Sequence, residues 1–299
     1  AGAPKEGHVG YVALLGRPNT GKSTLLNGIL GYRLTAVTYK PQTTRKRWLG
    51  IVTDEDSQVL FLDTPGVHKP LNELGTAMNA SVVRALADAD VVVVMADPTR
   101  ALGQEDTMVA SAAYKCHKPL LLAINKNDVT TPEDAATHEQ FYREQLGDRL
   151  KAAFHISAQN PASYQDLLTA MKETLPVGPF LYPEDLLTDS KERDIAAELI
   201  RQVILETLYE EVPHSVAVTV ENWKENRGGC TISASLHVER KSQKGILIGK
   251  GGESIKKIRI GAERLLKDQL QKPVKLSLFV KVTQNWRKKK QLVEPLIGY

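Results

Sequence analysis

Residues 16–23 read GRPNTGKS, preceded by the apolar run VGYVALLG (9–16) and followed by STLLNGILG (23–31). The spacing G-x-x-x-x-G-K-[ST], placed where a strand turns into a helix, is that of a loop that wraps phosphates. Backbone N–H groups and the helix N-terminus face the anion, and glycine lets the backbone come close. Gly16, Arg17, Pro18, Asn19, Thr20, Gly21, Lys22, Ser23 and Thr24 are the candidate nucleotide contacts, with Lys22 neutralising β/γ oxygens and Ser23 holding Mg²⁺. Such a loop belongs at the C-terminal edge of a parallel sheet, so this stretch decides the fold class.

The chain downstream keeps the rhythm that the loop requires. VLFLD (59–63), VVVVMAD (91–97), PLLLAIN (119–125) and AFHIS (153–157) are short apolar runs ending in polar turns, with helix-patterned AMNASVVRALADA and HEQFYREQLGDRL among the segments between them. That alternation predicts βαβ units: an α/β domain with a mainly parallel sheet covered by helices on both faces.

Three of the turns complete a site. DTPG follows VLFLD, so Asp63 emerges at the edge of the first loop as a carboxylate for Mg²⁺, and Gly66 can offer its N–H to a γ-phosphate. NKND follows the run at 119–125. Guanine presents two adjacent donors that one carboxylate accepts together, whereas adenine lacks the pair, so Asp128 predicts guanine, with Asn125 beside it and the stem of Lys126 along the base. SAQ places Ser157 and Ala158 at the next strand end, the Ala158 N–H aimed at guanine O6. The polar, aperiodic YKPQTTRKRW (39–48), overlapping the 33–47 region expected to order with triphosphate, offers Thr43 and Thr44 as hydroxyls that join Mg²⁺ when a γ-phosphate is present, Thr44 being favoured.

The rhythm stops at LPVGPFLYPEDLLTDS (175–190), read as a linker. Beyond it come a helix with Ile195, Leu199, Val203 and Leu208 on one stripe, the strands SVAVTVEN and CTISASLHVER, the turn ILIGKGGESI (246–255), a long helix and the strand VKLSLFVKV. The order α-β-β-α-α-β is that of a small α+β domain. The expected organisation is therefore residues 1–176, a linker at 177–190, a second domain at 191–283 and a basic tail at 284–299.

The net charge of +4 conceals an uneven distribution. Residues 1–176 hold 18 Lys+Arg and 19 Asp+Glu, residues 177–239 hold 5 and 12, and residues 240–290 hold 16 and 3. A block of that sign points to a polyanion. GKGG (Gly249–Gly252) has no Ser or Thr after its Gly-Lys pair and follows no parallel strand, which argues against a second nucleotide site. Cys116 and Cys230 lack a CxxC partner and the seven His are scattered, so free thiols and no structural metal are expected. AGAPKEGHVG lacks the order of a signal peptide, and no apolar run reaches bilayer length, so a cytosolic protein is expected.

GRPNTGKS, TT, DTPG, NKND and SA in this order, followed by VGPFLYPEDLLTD, EEVPHSVAV and IGKGGESIKKI, make the chain resemble the Era family of GTPases over nearly its whole length. The resemblance implies a P-loop GTPase domain with a type II KH domain, GTP/GDP and Mg²⁺ as ligands, and binding to the 3′ end of small-subunit (16S) ribosomal RNA during assembly of the small ribosomal subunit. In the KH pattern GXXG clamps a single-stranded backbone, which assigns Ile248, Gly249, Lys250, Gly251, Gly252, Lys256 and Lys257 to RNA. It also puts Asn19 where related GTPases hold K⁺, and Val67 where small GTPases carry a water-positioning glutamine. A cytoplasmic monomer, with the basic tail available to the inner face of the cell membrane, completes the expectation. Two competing readings are a constitutive RNA-binding module with the GTPase half as support, and a peripheral membrane GTPase.

Overall fold

The computed structural model describes residues 5–40, 43–290 and 293–294. Among these, residues 5–34, 44–71 and 78–189 form one compact unit, and residues 35–40, 43, 72–77, 190–290 and 293–294 form the other. The first contains β1 (Glu6–Gly16), α1 (Lys22–Leu30), β2 (Trp48–Thr53), β3 (Ser57–Asp63), α2 (Glu73–Asp88) from Met78 onward, β4 (Val91–Ala96), α3 (Gln104–Lys115), β5 (Leu120–Ile124), α4 (Pro132–Leu146), β6 (Leu150–His155), α5 (Gln165–Thr174) and β7 (Val177–Pro179). The sheet order is β2-β3-β1-β4-β5-β6, with β7 also paired to β1. Every residue of β3, β4 and β5 is buried, as central strands covered on both faces require.

Register carries the strand ends to one edge. Parallel pairing sets Leu14 against Asp63, Gly16 against Met95, Ala96 against Ile124 and Ile124 against His155. The turns that follow β1, β3, β4, β5 and β6 therefore open on the same side. β2 is antiparallel to β3 and lies at the border, where the Asp54 carboxylate accepts the N–H groups of Asp56 and Ser57 in the connecting turn.

The linker expected over 177–190 is laced onto this unit instead. β7 pairs with His8 and its neighbours, Phe180 N–H donates to Lys5 O (2.9 Å), and Ile51 N–H donates to Leu187 O (2.8 Å). Fully buried Gln58 takes the N–H groups of Leu181 (2.7 Å) and Tyr182 (2.9 Å) on its Oε1 and returns Nε2–H to Tyr182 O (2.8 Å). Prolines erase the periodicity here, but the backbone groups still need partners and find them along the sheet.

The second unit contains α6 (Glu192–Thr207), β8 (Ala217–Asn226), β9 (Gly229–Val238), α7 (Lys241–Ile248), α8 (Glu253–Leu270) and β10 (Val274–Val282). Its sheet runs β10-β9-β8, with β8 antiparallel and β10 parallel to β9. Leu199, Ile232, Ala234, Leu236, Leu247, Ile258, Ala262 and Leu276 form its buried interior. Gly261 lets α8 close on α6, since a Cβ there would stand 2.9 Å from Val203 Cγ1.

The tail expected from residue 284 begins inside this unit. Trp286 is fully buried and donates Nε1–H to Ser215 O (3.0 Å), and Arg287 gives Nε and Nη2 to Glu239 Oε2 (3.0 and 2.6 Å). A buried carboxylate at Glu239 needs that partner. Of the remainder of the expected tail, residues 291–292 and 295–299 lie outside the described residues. Trp286→Ala should lower the stability of the second unit by about 3–5 kcal/mol, read as an earlier urea transition of the full chain by circular dichroism.

Candidate nucleotide site and nucleic-acid interface

The first loop is shaped by positions where a side chain cannot fit. A Cβ on Gly21, whose φ is +98°, would stand 2.1 Å from Asn125 Nδ2, and one on Gly66 would stand 2.4 Å from Pro18 N. Val67 N–H donates to Gly16 O (2.9 Å) and Thr64 Oγ1–H to Leu14 O (2.8 Å), fastening the DTPG turn to the loop. Asn19 takes the left-handed backbone conformation, φ +61°. Thr20 is buried and donates Oγ1–H to Arg17 O (3.1 Å).

Lys22 is buried with its ammonium folded over the loop, donating to Arg17 O (2.8 Å), Gly16 O (3.3 Å) and Thr20 Oγ1 (3.3 Å). Burial lowers its pKa to about 8, Asp63 opposes that shift, and the Arg100 charge adds to it. Ser23 Oγ stands 2.6 Å from Asp63 Oδ2 and 2.8 Å from Thr44 Oγ1. Residues from the helix start, the polar loop and the end of β3 thus bring three hard oxygens together. Two hydroxyls and one carboxylate suit Mg²⁺, which keeps several waters and binds few protein ligands. Among the described residues no cluster of three His, Cys, Asp or Glu side chains stands ready for another metal.

At the base end, buried Asn125 spans two turns: its Nδ2–H donates to Thr20 O (2.7 Å) and its Oδ1 accepts Ala158 N–H (2.9 Å). The Ala158 N–H, expected against guanine O6, is here directed to Asn125, because a buried amide oxygen needs a donor. Ser157 is buried and its backbone is held by Ser163 Oγ, whereas Asp128 is exposed. Lys126 Nζ pairs with Asp97 Oδ2 (2.6 Å). Arg17 sends its guanidinium to Glu105 (3.2 Å) and Asp106 (2.7 Å). Asp97, Glu105 and Asp106 went unnoticed in the sequence; for Asp97 the signal was an acidic residue directly after a wholly apolar strand, whereas Glu105 and Asp106 lie in the first turn of α3 and carried no such mark.

GKGG lies between α7 and α8 with Gly249, Gly251 and Gly252 at φ +77°, +61° and +79°. A Cβ on Gly249 would meet Ser254 Cβ at 2.7 Å. Lys250, Lys256 and Lys257 are exposed, Ile248 is half-buried, and Ile246 is 52% exposed beside them. Close-approach glycines, free ammonium groups and an exposed aliphatic side chain suit a single-stranded nucleic acid.

A family model described as 50S ribosome-binding GTPase matches residues 11–126, and a KH domain model matches residues 211–287. GTPase Era of Lacticaseibacillus paracasei is 43% identical over 295 residues, covering 98% of this chain and 97% of the relative. GTPase Era of Thermotoga petrophila is 42% identical over 290 residues, covering 97% and 96%. Among solved structures, Era of Aquifex aeolicus bound to GDP·AlF4⁻ is similar at 34% identity and TM-score 0.91, covering 97% of this chain and 99% of that one. Era in complex with MgGDPNP and nucleotides 1506–1542 of 16S ribosomal RNA is similar at 34% identity and TM-score 0.92, covering 98% and 99%.

Asn125→Ala removes both braces between the loop and the last turn. Guanine-nucleotide affinity should fall roughly 10- to 100-fold, measured by titration with fluorescent GDP.

Proposed function

Because the chain belongs to the Era family of GTPases, we propose that it hydrolyses GTP as a switch, binds the 3′ region of 16S ribosomal RNA through its KH domain, and acts in assembly of the small ribosomal subunit. The observation that carries this reading is the meeting of Ser23, Thr44 and Asp63 at the mouth of the GRPNTGKS loop. That convergence favours an active switch over a GTPase half kept only as support.

In the reaction a water attacks the γ-phosphorus, the bond to the β–γ bridging oxygen breaks, and GDP leaves with the electron pair. The loop N–H groups and Lys22 hold the phosphates in line, and the Gly66 N–H is available to the γ-phosphate. Asp128 accepts the two guanine donors, with Lys126 along the base. Ser23, Thr44 and Asp63 would hold Mg²⁺, which would supply charge neutralisation to the phosphates. Val67, buried and aliphatic, has no group to orient water, so intrinsic hydrolysis would be slow, and either K⁺ held beside Asn19 or the RNA-bound partner would raise it. Turnover in KCl should exceed turnover in NaCl at matched ionic strength; equal rates remove the K⁺ assignment.

The protein works in this reading as a cytoplasmic monomer, with Lys288–Lys290 available to anionic lipid at the inner face of the cell membrane. Among the described residues no helix is long and apolar enough to cross a membrane.

The test is a titration of a short RNA from the 3′ end of 16S ribosomal RNA against the protein loaded with GDPNP or with GDP. Tighter binding in the triphosphate state is the expected outcome, and by linkage RNA then tightens GDPNP equally. Equal affinity would uncouple RNA from the nucleotide state and make this a GTPase tethered to an RNA clamp, its switching directed at another partner. Gly251→Asp puts a negative side chain on a left-handed position in the clamp, so it should abolish RNA binding while GTP affinity stays within about twofold.

A further inference from the structure

The segment DPTRALGQED (97–106), running from the end of β4 into the first turn of α3, belongs to none of the loop motifs, yet both ends of the nucleotide site rest on it. Asp97 is 3% exposed. Its Oδ2 accepts from Lys126 Nζ (2.6 Å) and Arg100 Nε (3.1 Å), and its Oδ1 accepts from Thr99 Oγ1 (2.5 Å) and Thr99 N–H (3.0 Å). Asp106 is 1% exposed. Its Oδ2 accepts from Arg17 Nη1 (2.7 Å) and Gly103 N–H (2.9 Å), and its Oδ1 accepts from Tyr142 OH (2.8 Å). Arg17 Nη1 also reaches Ala101 O (3.1 Å).

Two buried carboxylates nine positions apart are costly to keep if they serve only the fold, since apolar side chains would fill the space without a desolvation penalty. What distinguishes these two is the identity of their partners. Lys126 belongs to the base-recognition turn and holds a left-handed backbone, φ +61°. A lysine stem ordered only on ligand binding costs up to about 2 kcal/mol of rotamer freedom, and a head group already tied to Asp97 removes much of that cost. Arg17 is the second residue of GRPNTGKS, and its carbonyl is the nearest acceptor of the Lys22 ammonium, at 2.8 Å. Fixing the Arg17 side chain fixes the peptide that sets Lys22.

We propose that Asp97 and Asp106 are positioning residues for the nucleotide: Asp97 holds Lys126 along the base, and Asp106, through Arg17, holds the loop carbonyl that places Lys22. The inference rests on the guanine-nucleotide reading of the site, and it assigns affinity rather than chemistry to the β4–α3 segment. Neither aspartate takes part in proton transfer or phosphate coordination.

The experiment uses the full chain with Asp97→Asn and Asp106→Asn, near-isosteric changes that weaken the acceptor without opening a cavity. Affinity for fluorescent GDP and the steady-state constants for GTP are measured for each. KM and Kd should rise roughly 10- to 100-fold while kcat at saturation changes far less, because ground-state and transition-state binding are lost alike. Asp97→Asn should add little in a Lys126→Ala background, and Asp106→Asn little in an Arg17→Ala background. Unchanged KM and Kd, or losses that add in full, overturn the proposal. Should Asp97→Asn fail to fold, Lys126→Met keeps the stem and removes the tie: weakened GDP binding supports the assignment and unaltered binding overturns it. Wild-type protein that binds no GDP would instead overturn the nucleotide reading, so the two failures are distinguishable.

Discussion

A loop that grips phosphate must bring backbone N–H groups to the anion without interposed side chains, and that steric exclusion organises the first unit. No Cβ fits at Gly21 or Gly66, because Asn125 and Pro18 already occupy the space. The consequence runs outward: the DTPG turn can lie against the loop, Val67 can bond Gly16, and Asp63 can meet Ser23 and Thr44. The wholly buried strands behind them act as rigid rails that deliver each turn in register. The same exclusion recurs at Gly249, where the neighbour is Ser254.

The glycine motifs were readable from the chain because their chemistry is local: a fixed spacing dictates one backbone shape. So were the central strands, whose unbroken apolar runs have no other home than a sheet covered on both faces. The order of elements in the second unit also followed from local patterns of alternation and helical stripe. What escaped were features made by distant partners. The 177–190 segment has no period, and its order comes from Gln58 and Lys5 far upstream. Trp286 and Arg287 sit in a basic run that looks solvated, and only the pocket lined by Ser215 and the carboxylate of Glu239 reveals them as core. Asp97 and Asp106 belong to the same class: a lone acid in a turn is ordinary until a lysine from another turn is found on it.

Asp97 and Lys22 are both buried charges, compensated to different degrees. Asp97 lies below the usual carboxylate range: burial pushes it up, and bonds from Lys126 and Thr99 and the nearby Arg100 charge outweigh that. Lys22 runs the opposite way, its charge opposed by burial and supported mainly by Asp63. An anion entering the loop meets a cation that is still short of full compensation, which is the electrostatic condition for gripping phosphate tightly.

The burial of Trp286 has a consequence for the order in which the protein comes into being. A chain made from its N-terminus reaches Asp189, the end of the nucleotide unit, well before Trp286 and Arg287 exist to close the other. At ordinary elongation rates the interval is roughly 5–20 s. During that time Glu239 lacks its arginine and the Ser215 carbonyl lacks its indole. Each nascent molecule therefore passes through a period in which every residue of the phosphate loop has been made and the residues that close the basic unit have not.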